Sequence, residues 1–246
     1  MSKHVYEQSF FNYLDRSSSV SAQYFLEILD IGIPVNSVLD VGCGRGAWLA
    51  EWRKRGVEDV QGVDGHYVDT ATLLVPRENF HHHDLAEPLN LARKFDLAEC
   101  LEVAEHLEAQ KADVLLDSIV RHSDLVLFSA ATPGQGGEHH VNEQPLEYWA
   151  DKFAERGYRC FDCIRDKVLH HKGIEPWYRY NTLLYVRDTV VQQLPEAVVV
   201  TERVKGEKLK DVAPFGWRLR NAIIGLLPAP LIGRLAKVKH YFRARG

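Results

Sequence analysis

The chain has 246 residues, 46% apolar and 26% charged, which excludes a disordered polyelectrolyte and is enough to bury a core without disulfides. Its net charge of −4 is unevenly spread: residues 212–246 hold seven Lys/Arg and no Asp or Glu, leaving −11 on residues 1–211. So acidic a body repels nucleic-acid phosphates and speaks against that partner.

Four cysteines (43, 100, 160 and 163) follow no secreted framework and read as reduced thiols. The single C-x-x-C at Cys160 and Cys163 lacks a second pair and reads as ordinary cysteines. The opening "MSKHVYEQSF" has no apolar secretion core. The most apolar stretch, "AIIGLLPAPLIG" (222–233), has 12 residues and two prolines, too short to span a bilayer. A cytoplasmic location is expected.

In chain order, "QYFLEILDIG" predicts a helix stopped at Gly32. Strands are predicted at 37–42, 60–65, around 79–85, 95–100 and 125–130, with helices at "AWLAEWRKRG" and around 109–122 between them. Pro145 opens a further helix whose Leu146, Trp149 and Phe153 share a face, and Gly157 closes it. "GYRCFDCIR" and "NTLLYVRD" read as two last strands, an antiparallel hairpin at one edge. This alternation predicts an α/β fold, a Rossmann-like, mostly parallel sheet covered on both faces. The expected units are a domain over 1–188, a linker over 189–214 and a basic amphipathic tail over 215–246.

The strongest local signal is "VLDVGCGRGAW" (38–48), where Gly42, Gly44 and Gly46 mark a strand turning into a helix, open to close ligand approach. The glycines alone also fit a dinucleotide fingerprint. Asp40 separates the two, because a carboxylate there would repel a pyrophosphate. S-adenosylmethionine has no phosphate and carries an ammonium and a sulfonium, which favour a nearby anion. Asp64 with Gly65 ends the next strand, spaced to accept from ribose hydroxyls. Asp84 with Leu85 ends the third, where a carboxylate can accept from an adenine amino group, and Glu99 lies on the fourth strand. This order resembles the class I S-adenosylmethionine-dependent methyltransferases from about residue 37 to 187. "LDVGCGRG", "GVDG", "HHDL" and "FDLAECLEVAEHL" are similar to their successive motifs. The resemblance implies a seven-stranded sheet with its last strand antiparallel and these residues around the cofactor.

"EVAEHL" (102–107) follows the fourth strand. On a helix, Glu102, Glu105 and His106 would point one way. Read blandly, they are a solvated acidic face. "TPGQGGEHHVNEQPLEYW" (132–149) changes that balance, since it can bring His139 and His140 back over the same pocket. Two carboxylates and one or two imidazoles suit Mg²⁺ or Mn²⁺ with room for substrate oxygens. The arrangement resembles the metal-dependent small-RNA 2′-O-methyltransferases, whose metal grips the vicinal hydroxyls of a ribose. That implies Glu102, Glu105, His106 and one of His139 and His140 as ligands, with a second imidazole as base. "GQGGEHHVNEQ" and "PWYRYN" (176–181) also resemble methyltransferases of bacterial polysaccharide assembly, implying a sugar hydroxyl of a glycan or nucleotide-sugar as acceptor. Trp177 and Tyr178 read equally as sugar-stacking or packing residues.

"HHH" (81–83) cannot converge on one ion if it lies on a strand. Beyond Phe215 the chain reads as two amphipathic helices broken by Pro228 and Pro230, with cations flanking apolar stripes. An anionic membrane surface, the acidic body and a second subunit are all open as its partner. Three functions follow: sugar O-methylation, RNA ribose 2′-O-methylation, or a non-catalytic S-adenosylmethionine-binding module.

Overall fold

The structure, a computed structural model, describes residues 8–227. Helix α1 (Gln8–Ile28) leads to β1 (Ser37–Val41), α2 (Ala47–Lys54), β2 (Asp59–Asp64), the short β3 (Phe80–His82) and β4 (Leu97–Leu101). Then come α3 (Ala112–His122), β5 (Leu125–Ser129), α4 (Leu146–Ala154), β6 (Tyr158–Phe161), α5 (Arg165–Val168), α6 (Pro176–Asn181) and β7 (Leu183–Arg187). Short α7 (Glu196–Val199) and α8 (Phe215–Gly225) end the described chain.

The strands form one seven-stranded sheet in the order β3-β2-β1-β4-β5-β7-β6. All pairs are parallel except those of β7, which runs antiparallel to both β5 and β6. The antiparallel last strand is therefore as expected, but the edge pair is no tight hairpin. Its connection carries α5 and α6, and β7 slots inside β6.

Strands β4 and β5 are buried at every residue, because helices cover both faces. On one face Val38, Val60, Leu97 and Leu127 pack with Phe25, Trp48 and Trp52 from α1 and α2. On the other, Leu39, Val63, Cys100 and Phe128 pack with Leu115 and Ile119 of α3 and Trp149 and Phe153 of α4. Each Leu or Phe so buried contributes on the order of 1.5–3 kcal/mol. Strand order reverses between β1 and β4, and such a switch point opens a crevice at the carboxyl ends of the strands. The glycine turn and "EVAEHL" both begin there.

Residues 189–214 do more than connect. Val191, Leu194 and Val198 are buried in the first core layer, and Phe161 bridges to Glu202. Helix α8 matches the first of the two expected tail helices; the second lies outside the described residues. No helix among the described residues is long and apolar enough to cross a membrane.

Candidate active site

At the end of β1 the backbone bends back through Gly42, Gly44 and Gly46, all with positive φ. Gly42 N–H and Cys43 N–H both donate to the Val63 carbonyl, tying the turn to β2. A Cβ built at Gly44 would meet nothing within 4 Å, so an open cradle lies over that residue, as close ligand approach requires. Asp64, 2% exposed, accepts 2.6 Å hydrogen bonds from Gly44 N–H and Gly65 N–H and a further one from the Tyr67 hydroxyl. Tyr67 was not legible as a partner, since nothing in "DGHY" distinguishes it from a loop aromatic. Asp84 stands half-buried after β3, and its carboxylate accepts from Ala86 N–H at 3.1 Å, which fixes the turn. Leu85 packs on the second core layer.

Asp40 and Glu99 are register partners on β1 and β4, side by side on the α2 face. Trp52 Nε1 donates to Glu99 Oε2 at 3.0 Å, while Glu99 Oε1 has no partner. Burial, opposed only by that bond, pushes the Glu99 pKa up to about 8. Asp40 is raised by burial first and then by the charges of Glu99 and Asp64. Two buried carboxyls so placed disfavour each other's charge.

"EVAEHL" does not form the expected helix. Glu102 leaves β4 with φ +58, and Ala104–His106 make a single 3₁₀ turn. Glu102 therefore parts company with Glu105 and His106. Glu102 accepts from Gln135 Nε2 at 2.7 Å and Asn181 Nδ2 at 3.3 Å, and Asn181 also donates to Gln135 Oε1 at 2.9 Å. Burial raises its pKa against those bonds. Glu105 turns inward, 1% exposed, with Oε2 unpartnered; burial and then the charge of Glu102 raise its pKa.

The loop after β5 is pinned onto that turn. Val141 N–H and Asn142 N–H both donate to the Glu105 carbonyl, at 2.8 and 3.1 Å. This sets His140 Nε2 4.0 Å from Glu105 Oε1, and the His106 and His140 rings meet edge to face at 4.9 Å. One ligand atom each from Glu105, His106 and His140 lie within 4.8 Å of one another, the one such group among the described residues. His106 keeps an open residue surface, yet its imidazole is crowded by the protein and by His140, and its pKa is pushed down. Glu102 and His139 stand outside the group; His139 is exposed at φ +59.

Glu143 was not anticipated. It accepts from His140 Nδ1 at 2.8 Å and from Gly134 N–H and Gly136 N–H at 2.8 and 2.7 Å. Burial alone would raise its pKa, but the His140 bond and the glycine N–H groups outweigh it and lower it. With Nδ1 bonded to Glu143, the other ring nitrogen, Nε2, is the one turned towards Glu105. A Cβ at Gly137 would fall 2.1 Å from the same imidazole, so only glycine leaves the ring its place. A signal was available, because Glu143 sits three residues after His140 in a glycine-rich turn.

Elsewhere the blander expectations hold. His82 stacks on His66 at 4.9 Å while His81 and His83 face each other, so the triplet splits as strand alternation requires. Tyr178 is buried against Trp48 and bonds Ser18 at 3.3 Å, and Trp177 packs on the core. Cys160 and Cys163 are buried with thiol pKa values pushed up by burial to about 12 and about 11, which leaves them unreactive.

The methyltransferase-domain family model matches residues 14–163, more than half of the chain. The fold is similar to that of the sugar N-methyltransferase KedS8 from a Streptoalloteichus species, with a TM-score of 0.58 at 17% identity, over 76% of this chain and 97% of that one. It is also similar to an O-methyltransferase family protein from Burkholderia thailandensis, with a TM-score of 0.53 at 14% identity, over 72% of this chain and 59% of that one. No curated protein matches the chain in sequence. With the glycine cradle, the Asp64 carboxylate and the Asp40–Glu99 pair at the switch point, the chain belongs to the methyltransferase-domain family and is an S-adenosylmethionine-dependent methyltransferase.

Proposed function

We propose that the protein transfers a methyl group from S-adenosylmethionine to a sugar hydroxyl of a glycan or nucleotide-sugar, with a divalent cation held by Glu105, His106 and His140. The observation that carries this reading is the buried Glu105 carboxyl, with Oε2 unpartnered and Oε1 4.0 Å from His140 Nε2, grouped with the imidazoles of His106 and His140. An acid in that position stays protonated unless a cation compensates it. Two imidazoles and a carboxylate suit Mn²⁺ better than Mg²⁺, which prefers oxygen ligands. When bound, such an ion lowers the pKa of a hydroxyl and so supplies the nucleophile that a neutral sugar lacks.

The chain's own residues do the rest. Glu143 fixes the His140 tautomer, and the bonds of Gln135 and Asn181 hold Glu102 in place beside them. His139, on the exposed turn beside His106, is the residue available to take the hydroxyl proton to solvent. Methyl transfer forms the new O–C bond as the S–C bond breaks. The enzyme therefore contributes mainly by alignment.

Labelled methyl transfer to sugars, nucleotide-sugars, lipid-linked glycans and short RNAs tests the acceptor class. Label in a sugar fraction, with the methyl ether located by fragmentation, is expected. Label in RNA alone would replace this reading with ribose 2′-O-methylation.

A further inference from the structure

Helix α8 has two unlike faces. The inner one carries Trp217, Arg220 and Asn221. Trp217 meets Tyr180 of α6 edge to face at 5.6 Å, and Arg220 donates to the Gln135 carbonyl at 2.7 Å. The backbones touch as well: a Cβ at Gly134 would fall 2.2 Å from the Asn221 carbonyl oxygen. So α8 is fastened to the loop that carries Glu143 and His140.

The outer face is apolar and bare. Phe215, Leu219, Ile223 and the following Leu226 are 70%, 48%, 54% and 85% exposed. At 100° per residue these four fall within one narrow stripe, opposite Trp217, Arg220 and Asn221. Exposed Arg218, 3.9 Å from the Asp211 carboxylate, borders the stripe, and the chain from 212 to 246 has no carboxylate and, besides the inward Arg220, six cations.

We infer that this stripe docks on a lipid surface bearing anionic headgroups. Charge chooses among the occupants. A second copy would press two acid-free, cationic segments together, whereas anionic lipid satisfies the cations and the apolar stripe at once. A nucleic acid would use the cations but leave the stripe wet. One helix, about 10 Å thick, then separates the headgroups from the His140 loop. On the sugar-hydroxyl reading, this geometry favours acceptors presented on a lipid.

The test is sedimentation of the full chain with vesicles of phosphatidylcholine alone or mixed with phosphatidylglycerol, without any acceptor present. The wild type should pellet with the mixed vesicles only, and less so in high salt. The double variant L219Q/I223Q should bind at least tenfold more weakly at unchanged thermal stability and unchanged methyl transfer to a soluble acceptor. Equal pelleting of the variant, or a wild type left in the supernatant, would overturn the inference. A dimer that the variant splits, without vesicle binding, would assign the stripe to a second copy instead. Because no acceptor enters the vesicle assay, its outcome is independent of which hydroxyl is methylated.

Discussion

Glu143 holds an imidazole and two backbone N–H groups with one carboxylate, so its replacement by glutamine sets an amide N–H₂ against donors. Outer-shell partners of this kind are worth roughly 10–100-fold in metal affinity or activity. Glu143→Gln should weaken Mn²⁺ binding by that factor in calorimetry while leaving S-adenosylmethionine binding intact. An unchanged Mn²⁺ affinity would reject the orienting role. Glu99 makes a separate prediction. It stays protonated to about 8 in the fold but ionises from its ordinary 4.5 when unfolded, so stability falls as pH rises through that window and levels off above it. Glu99→Gln removes the loss, and its amide oxygen can still accept from Trp52. The variant should melt roughly 3 °C or more above wild type at pH 8, with a smaller difference at pH 5. The same offset at both pH values would contradict the raised Glu99 pKa. At this scale the gathering of Glu105, His106 and His140 was readable from residue type and spacing. The departure of Glu102 was not, because a positive φ at a non-glycine residue leaves no mark in a sequence.

Between elements, the site depends on one loop held from both sides. Its inner edge bonds the 3₁₀ turn through Val141 and Asn142, and its outer edge meets α8 through Gly134. Gly134→Ala combines a positive φ of 79° with a side chain in the path of Asn221, and should cost about 1–3 kcal/mol of local stability. Hydrogen exchange should speed up in 215–225 and in 132–143 together. Acceleration in only one of them would show that α8 and the loop are not coupled. The glycine-stopped helices and apolar strands were readable because 3.6- and 2-residue periods report directly on burial. Two features were hidden for the same reason: α8's grip on Gly134 and the delivery of Asn181 by α6 are long-range contacts, and local periodicity carries no record of them.

For the whole molecule, the mostly parallel sheet puts the glycine turn and the "EVAEHL" turn on adjacent strand ends. Asp40 lies on β1 and Gly42–Gly46 follow it, and Glu102–His106 follow β4, the neighbouring strand. The family was legible from the glycine turn together with Asp40 and Asp64, since those types in that order have a shared physical purpose. The Glu102–Gln135–Asn181 network was less so, because partners 33 to 79 residues apart in sequence meet only once the chain is folded. The central claim is that a divalent cation at Glu105, His106 and His140 assists methyl transfer to a sugar hydroxyl. It is tested most directly by labelled methyl transfer to the best sugar acceptor, with the enzyme first stripped by EDTA and then supplied with Mn²⁺ or Mg²⁺. The account predicts that stripping lowers the rate at least 100-fold, that Mn²⁺ restores it better than Mg²⁺, and that Glu105→Gln abolishes the restoration. Undiminished transfer in EDTA would contradict the metal, and would leave Glu105 as a buried acid with a structural role.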